Sequence, residues 1–511
     1  MLKNLRKKSE RGQVIIIIAF ALVGLIAIVG LMVDGGILLI EYARLKRAID
    51  SASIASALQF RRGFTGADLA TAAEEFLILN QSDADQIYVW RCKDPNETVM
   101  DDPTVSSSDD GTFHDPSLCT VPLRKLLRIE ATRFVTFGFL RIIGINGTTI
   151  TASSVGEAAS LDLVLVIDTS ASMAYETTGS PDFAEPGDDP ALCNSTQTCE
   201  PLESVKDVAL QFMDTMFFPY DRVSIVTMTS QNANGFRDPF TLLELSDDEN
   251  AVRTAISNIR VYQPPSCPSA YGTCRDLCTA EEIAAAASGT PCFNKTVGYF
   301  VGEDCPAYRI YGDRSSCTSS NVGGALTVAG AEFAREPIRE DSFWVVIALI
   351  GGPANASTGT GDLTDDDGNG YPDDPYAFGF CPYNTWTSSV NPPCRDSLVS
   401  SRHAPGDVDG TGQSIYDADD FARDSADFLA DPANGSGVTI FTIGLGDLVL
   451  SSPKSTPANS GELLLQYIAE DAGDSIGVTA NHGFYAYSPD AAGLTEIFAA
   501  IAENIFTRLS Q

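Results

Sequence analysis

The sequence predicts an α/β protein with a doubly wound, mainly parallel sheet, preceded by a transmembrane helix and a small α+β stalk. Residues 161–167 form a near-continuous apolar run, which is typical of a central parallel strand covered on both faces. Helix-like and strand-like segments then alternate to the end of the chain, as they do in doubly wound sheets. An uncharged apolar run near the N-terminus predicts the membrane helix.

The apolar run Val14–Val33 is long enough to cross a membrane. It contains twenty uncharged residues, which at about 1.5 Å per residue span a hydrocarbon core of about 30 Å. Basic residues precede the run and Asp34 closes it, so the positive-inside rule predicts a cytoplasmic tail (1–13), a transmembrane helix (14–34) and an extracellular remainder. A cleaved signal peptide fits less well, because the run is too long and lacks a small-x-small cleavage site.

Charge and cysteine content agree with an extracellular location. The 511-residue chain carries a net charge of −35, and its basic residues are concentrated near the N-terminus, so the acidic body repels nucleic acid. All twelve cysteines follow the membrane segment, which predicts disulfides formed outside the cytoplasm. Proximity suggests the pairs Cys193–Cys199 and Cys381–Cys394, and the remaining connectivity stays open.

Residues 35–160 are expected to form a stem and a stalk. A helical stem (35–80) continues the membrane helix, and alternating apolar and polar residues in 86–92, 121–136 and 148–158 predict strands of a small β-rich stalk (81–160). Arg11-Gly12-Gln13, the apolar run, Val33-Asp34-Gly35-Gly36 and the segment 49–57 together resemble the N-terminus of TadE/TadG-like Flp pilus assembly proteins. The resemblance implies a pilin-like stalk that works beside pilus or secretion subunits.

The main domain is expected over residues 161–511. Its predicted strands are 161–167, 222–229, 343–350 and 438–443, and its predicted helices are 202–216, 247–259, 323–333, 418–429, 461–472 and 491–509. Ligands of such sheets bind at the loops that follow the carboxyl ends of the strands.

The first of these loops offers three oxygen ligands. Asp168, Ser170 and Ser172 alternate directly after the apolar strand, so one carboxylate and two hydroxyls leave a single turn. Such hard oxygens suit Mg²⁺, Mn²⁺ or Ca²⁺ rather than zinc. Because hydroxyls add no charge, the ion stays under-neutralised and can accept a carboxylate from a partner.

This D-x-S-x-S pattern resembles the metal-ion-dependent adhesion site of von Willebrand factor A (VWA) domains. Residues 320–326 resemble the family's second metal loop, with Ser320 where Thr is usual, and 437–446, 465–473 and 483–487 resemble later segments. The resemblance spans about residues 161–509. It implies a VWA (Rossmann-like) fold, a Mg²⁺ ion (or Mn²⁺ or Ca²⁺) held by Asp168, Ser170, Ser172 and Ser320, and a protein or surface-glycan ligand.

One position departs from this pattern. Where family members with a full site carry an Asp after the third strand, this chain has Gly351. Two interpretations follow. Either the site binds a cation with reduced affinity, or it is vestigial and Asp168 with the serines only caps the turn and the helix.

Three long insertions, near 174–200, 261–318 and 352–414, contain ten of the twelve cysteines. We expect these insertions to be cross-linked by disulfides and to surround the metal face, and we call them the crown. The third contains two acidic segments whose spacing is similar to that of calcium loops, with acidic surface turns as the alternative. Their candidate ligands are Asp365, Asp367, Asn369 and Asp373 in the first, and Asp407, Asp409, Thr411 and Asp417 in the second.

The sequence contains no nucleophile elbow or phosphate loop, and its three histidines lie in no catalytic motif, so we expect no enzyme. The leading hypothesis is a membrane-anchored extracellular VWA protein of a Tad/Flp-type pilus system, acting in adhesion or pilus assembly through metal-dependent binding. The second hypothesis is a structural minor pilin or assembly scaffold with a vestigial metal site.

Overall fold

The chain forms two compact units, Met1–Ala159 and Ser160–Gln511. The computed structural model describes residues 10–60, 65–80, 84–93, 111–174, 190–229, 239–261, 292–294, 299–301, 320–354, 418–433, 436–450, 461–474 and 477–509.

The first unit joins two helices to a four-stranded sheet. Its elements are α1 (Glu10–Ala57), α2 (Gly66–Leu79), β1 (Gln86–Arg91), β2 (Thr112–His114), β3 (Lys125–Thr136) and β4 (Gly147–Ala158). The strand order is β2-β1-β3-β4, with β1 and β2 parallel and the other pairs antiparallel. A disulfide joins Cys92 to Cys119, a pair that the sequence did not suggest.

Helix α1 changes character along its length. Its N-terminal part is apolar and mostly exposed, and among the described residues it is the one helix long and apolar enough to cross a membrane. From Leu45 onward one face is buried, because Ala48, Ile49 and Ala52 recur at helical spacing and face the sheet. Gly156 on β4 permits this packing, since a Cβ there would lie 2.2 Å from the Ser53 carbonyl oxygen.

Asp34 fixes the loop between β3 and β4 to α1. Its buried carboxylate accepts hydrogen bonds from the backbone N–H groups of Gly138 (2.8 Å), Phe139 (3.0 Å) and Leu140 (2.7 Å). These donors begin a 3₁₀ turn over Leu140–Ile143. The acidic residue that closes the apolar run therefore has a structural partner more than a hundred residues later in the sequence.

The second unit is a mixed α/β structure, in agreement with the predicted class. Its helices are α3 (Pro190–Thr196), α4 (Leu202–Met213), α5 (Glu249–Ser257), α6 (Val322–Phe333), α7 (Ala418–Ala430), α8 (Gly461–Gln466) and α9 (Leu494–Leu509). Its strands are β5 (Leu161–Ile167), β6 (Arg222–Thr227), β7 (Phe240–Ser246), β8 (Cys292–Asn294), β9 (Tyr299–Val301), β10 (Phe343–Ile350), β11 (Thr439–Leu445) and β12 (Tyr485–Ser488).

A six-stranded sheet of order β12-β11-β10-β5-β6-β7 organises this unit. Strand β5 lies at its centre and is fully buried, and its alternate residues belong to two separate apolar clusters. Leu163 and Leu165 pack with residues of α4, α5 and α9, whereas Val164 and Val166 pack with residues of α6, α7 and α8. Helical side chains therefore cover both faces of β5.

Some elements differ from the sequence prediction. Strand β7 was not predicted, because its residues are only partly buried, and it runs antiparallel to β6. Helix α4 ends at Met213 rather than at 216. The helix predicted over 461–472 is α-helical over Gly461–Gln466 and continues as a π-helical turn over Tyr467–Asp471.

We expect Asp34→Ala to release the β3–β4 loop, because three backbone N–H groups lose their acceptor. Hydrogen exchange measured on the full-length protein should become at least about tenfold faster at the amides of residues 138–140, as expected for loss of buried hydrogen bonds. Asp50→Ala is the matched control, since Asp50 lies on the same helix and pairs with Lys46 at a partly exposed site. Equal exchange in the two variants would contradict the assigned role of Asp34.

Candidate cation site at the carboxyl edge of the sheet

The site forms where β5 ends between two neighbouring strands. Ile167, the last residue of β5, pairs with Thr227 of β6 and with Leu349 of β10. All three strands are parallel, so their carboxyl ends lie at the same edge of the sheet. The turn that begins at Asp168 and the turn that begins at Gly351 are therefore neighbours.

Asp168 is fully buried and joins these two turns. Its N–H donates to the Leu349 carbonyl oxygen (2.9 Å), and its Oδ2 accepts from the Gly351 N–H (2.9 Å). Its Oδ1 accepts from the Ser170 N–H (2.8 Å), which closes a tight turn within the loop. The hydroxyls of Ser170 and Ser320 also hydrogen-bond to this carboxylate.

The structure brings together the four side chains that the sequence singled out as ligands of the ion after β5. The Ser170 and Ser172 hydroxyl oxygens lie 2.8 Å apart. Ser320 comes from a separate loop immediately before α6, and it is held there because Asn321 caps that helix by accepting the Gly324 N–H (2.8 Å). One carboxylate and three hydroxyls thus meet at one end of the sheet.

Gly351 lies beside these oxygens, at the position where the VWA pattern has an Asp. A Cβ on Gly351 would be 3.6 Å from Asp168 Oδ2 and 3.5 Å from Ser172 Oγ. It would also be only 2.9 Å from Met173 Sδ. Met173 is completely buried, so its thioether already occupies the space that a side chain at position 351 would enter.

The electrostatics of the site centre on Asp168. Burial raises the pKa of the Asp168 carboxyl above its ordinary value, although the N–H and hydroxyl donors act in the opposite direction. Among the residues that the structure describes, no three His, Cys, Asp or Glu side chains come close enough to hold a metal ion.

The donor chemistry fits a hard divalent cation with one acidic ligand. A carboxylate offers about four lone-pair directions, and the backbone N–H groups use only part of this capacity. The serine hydroxyls can rotate, so they can turn a lone pair toward an ion instead of donating to Asp168. With one carboxylate and three neutral oxygens, the affinity is expected to be low.

Sequence reasoning did not include two further residues at this edge. Thr229 follows β6, and its hydroxyl lies 2.7 Å from that of Thr169. Because Thr229 comes at the end of a neighbouring predicted strand, the sequence could have predicted that it lies at this edge of the sheet. Met173 had no comparable signal, because its direction is set by the 3₁₀ turn Ala171–Ala174.

The other predicted sites are only partly covered. The structure forms the disulfide between Cys193 and Cys199, whereas Cys381 and Cys394 lie outside the described residues. Both candidate calcium loops, with Asp365, Asp367, Asn369, Asp373, Asp407, Asp409, Thr411 and Asp417, also lie outside them. These sites and the crown remain predictions.

Comparisons with known proteins give a weak overall likeness. No family model and no curated protein sequence matches the chain. Similar solved structures include the pilus adhesin SpaC from Lactobacillus rhamnosus GG (12% identity, TM-score 0.35, 83% of this chain and 40% of the adhesin covered). The chain thus spans about 40% of that adhesin's length.

The PilB minor pilin from Streptococcus sanguinis is 10% identical, with a TM-score of 0.33 and 75% of each chain covered. The conserved hypothetical protein BatB from Bacteroides thetaiotaomicron is 12% identical, with a TM-score of 0.29, and the match covers 69% of this chain and 99% of BatB. All these TM-scores are below 0.5, so the likeness defines neither the fold nor the function of this chain.

The raised pKa of Asp168 predicts a specific pH dependence. A folded-state pKa above the unfolded value means that the folded protein binds the proton more tightly, so protonation stabilises the fold. With a chelator present, the free energy of unfolding of the wild type, compared with that of Asp168→Asn, should rise as the pH falls through the raised pKa of Asp168. The rise should level off near the ordinary value of 3.8, where the unfolded chain is protonated as well. Denaturant titrations of the full chain in detergent at several pH values measure this difference, and a pH-independent difference would contradict it.

Proposed function

We propose that this chain is a membrane-anchored extracellular protein of a Tad/Flp-type pilus system, and that its second unit is a doubly wound VWA-type domain. It would act in adhesion or pilus assembly by binding a protein or surface glycan through a divalent cation. The observation that carries this proposal is the meeting of Asp168, Ser170, Ser172 and Ser320 at one edge of the sheet.

These four residues would hold Mg²⁺, Mn²⁺ or Ca²⁺. When bound, the ion supplies an under-neutralised positive centre that can accept a carboxylate or hydroxyl oxygen of the ligand. Asp168 contributes the negative charge, and the three serines contribute neutral oxygens. Ser172 is partly exposed whereas Asp168 is fully buried, so the hydroxyl side of the cluster is the side open to a ligand.

The membrane location is supported by α1. Its exposed apolar segment has the length of a membrane span, and the basic residues before it favour a cytoplasmic N-terminus. The disulfides Cys92–Cys119 and Cys193–Cys199 support an extracellular location for both units. The assignment to a Tad-type system rests on the N-terminal pattern of residues.

A second candidate function is a structural minor pilin or assembly scaffold that needs no cation. It is favoured by Gly351 and by Met173, whose thioether fills the place of the second acid. The hydrogen bonds that Asp168 already accepts also satisfy the carboxylate without an ion. We propose no enzymatic activity for either version.

We expect Mg²⁺ to stabilise the full-length protein through this site. A ligand at ten times its Kd stabilises the fold by about 1.4 kcal/mol, which corresponds to a rise in Tm of about 2 °C for a unit of this size. Asp168→Ala should abolish the rise seen when Mg²⁺ replaces chelator.

Asp248→Ala is the matched control, because Asp248 accepts two backbone N–H groups at the start of α5. It should keep the full response to Mg²⁺. In cells, the adhesion version requires that Asp168→Ala reduce adherence while pili still assemble. Unchanged adherence together with an unchanged Mg²⁺ response would leave only the scaffold version.

Restoring the second acid should strengthen cation binding. Gly351→Asp with Met173→Ala places a carboxylate beside Asp168 without the contact to the thioether. Without Mg²⁺, the two like charges should destabilise the fold. The affinity for Mg²⁺ should rise by about tenfold or more, because it increases with the negative charge of the ligands. Calorimetric titration measures the affinity for Mg²⁺, with Met173→Ala alone as the control. Equal affinities of the double variant and the control would show that the four oxygens do not face a common ion.

A further inference from the structure

The connection between β3 and β4 presents an unusually apolar surface. Residues 137–146 read FGFLRIIGIN, with Arg141 as the one charged residue. Phe139, Ile142, Ile143 and Ile145 are exposed by 42%, 82%, 72% and 47%. We call residues 137–146 the hairpin tip.

The hairpin tip is an ordered element. The Phe137 N–H donates to the Asn146 carbonyl oxygen (3.0 Å), and the Ile145 N–H donates to the Leu140 carbonyl oxygen (3.1 Å). Gly144 reverses the chain at a φ of 94°, a left-handed conformation that glycine adopts without strain. The exposed apolar side chains are therefore held on a defined backbone.

Two contacts set the position of the hairpin tip along α1. The Asp34 carboxylate binds the N–H groups of residues 138–140, and a Cβ placed on Gly30 would lie 2.8 Å from the Cβ of Phe139. Gly30 belongs to the apolar run 14–33, and it lies about 6 Å before Asp34 along the helix axis. Phe139 thus lies beside the last apolar turn of α1.

We propose that the hairpin tip inserts into the outer leaflet of the lipid bilayer beside α1, so that the first unit contacts the membrane at two places. This inference rests on the membrane anchoring proposed above. If residues 14–33 occupy the hydrocarbon core, the contact between Phe139 and Gly30 places the hairpin tip at the core's outer boundary. Ile142 and Ile143 then enter the apolar region, at the depth of about 5–10 Å that interfacial elements reach.

The charges at this position agree with a lipid partner. Asp34 is buried and accepts three N–H groups, so its charge is compensated at the boundary of the core. Arg141 is exposed on the hairpin tip and has a long stem, so its guanidinium can reach the phosphates of the head groups. No acidic residue occurs within 137–146 to oppose this contact.

The test measures the depth of the hairpin tip in the bilayer. The full chain with Ile142→Trp is placed in nanodiscs at one chain per disc, and its tryptophan fluorescence is compared with that of the wild type in lipids with and without brominated acyl chains. Val121→Trp is the matched control, because Val121 is 94% exposed and lies just before the opposite end of β3, about 40 Å away along the strand.

We expect the added emission of the Ile142→Trp chain to be blue-shifted and mostly quenched by the brominated lipids, whereas that of Val121→Trp stays unquenched. A second chain with Ile143→Trp should behave like the first, which keeps the result independent of the effect of either substitution on folding. An unquenched Ile142→Trp and Ile143→Trp in chains that remain in the disc would overturn the insertion of the hairpin tip but leave the anchor intact.

Loss of the wild-type chain from the lipid during flotation would instead refute the anchor, and with it the proposed insertion. One further result would also overturn the proposal. If brominated lipid does not quench the added tryptophan in single-chain discs, but the emission shifts to the blue when many chains share one vesicle, a neighbouring copy covers the hairpin tip rather than lipid.

Discussion

The parallel pairing of β5 with β10 is the constraint on which the candidate site depends. The two strands are separated by about 180 residues in sequence, yet Ile167 and Leu349 lie opposite each other in the sheet. At the amino end of β5, Asp162 binds the guanidinium groups of Arg222 and Arg339, which fixes the strand from the side remote from the site. Without this pairing, the turn after Asp168 and the turn after Ile350 would not meet.

In the proposed cation site, an ion-free and an ion-bound state would compete. Without an ion, backbone N–H groups and hydroxyls satisfy Asp168, but burial disfavours its charge. With an ion, the charge is compensated, but the hydroxyls must turn their lone pairs away from their present partners. Gly351 weakens the second state by removing an acid, and the Met173 thioether fills the space that remains. In the proposed cation site, the affinity would therefore depend on a few groups, each of which can be changed separately.

The sequence was sufficient for features that depend on local pattern. Continuous apolar runs predicted β5 and β10 at the bounds that the structure shows, because buried central strands tolerate few polar residues. The alternation of Asp168, Ser170 and Ser172 predicted which oxygens leave one turn. Features that depend on tertiary contact were missed, such as the half-buried edge strand β7 and the direction of Met173. The donors to Asp34 could not be predicted either, since they lie over a hundred residues away.

Asp34 and Asp168 show how the same arrangement can serve two purposes. Each is a buried carboxylate that accepts backbone N–H groups at the start of a 3₁₀ turn or beside one. The three known donors to Asp34 are all backbone groups, which cannot rotate away, so this contact fixes the hairpin tip to α1. Asp168 also binds the hydroxyls of Ser170 and Ser320, which can rotate. Because only rotatable donors can give up their place to an ion, the proposed cation exchange is confined to Asp168, whereas the contact of Asp34 with the hairpin tip is fixed.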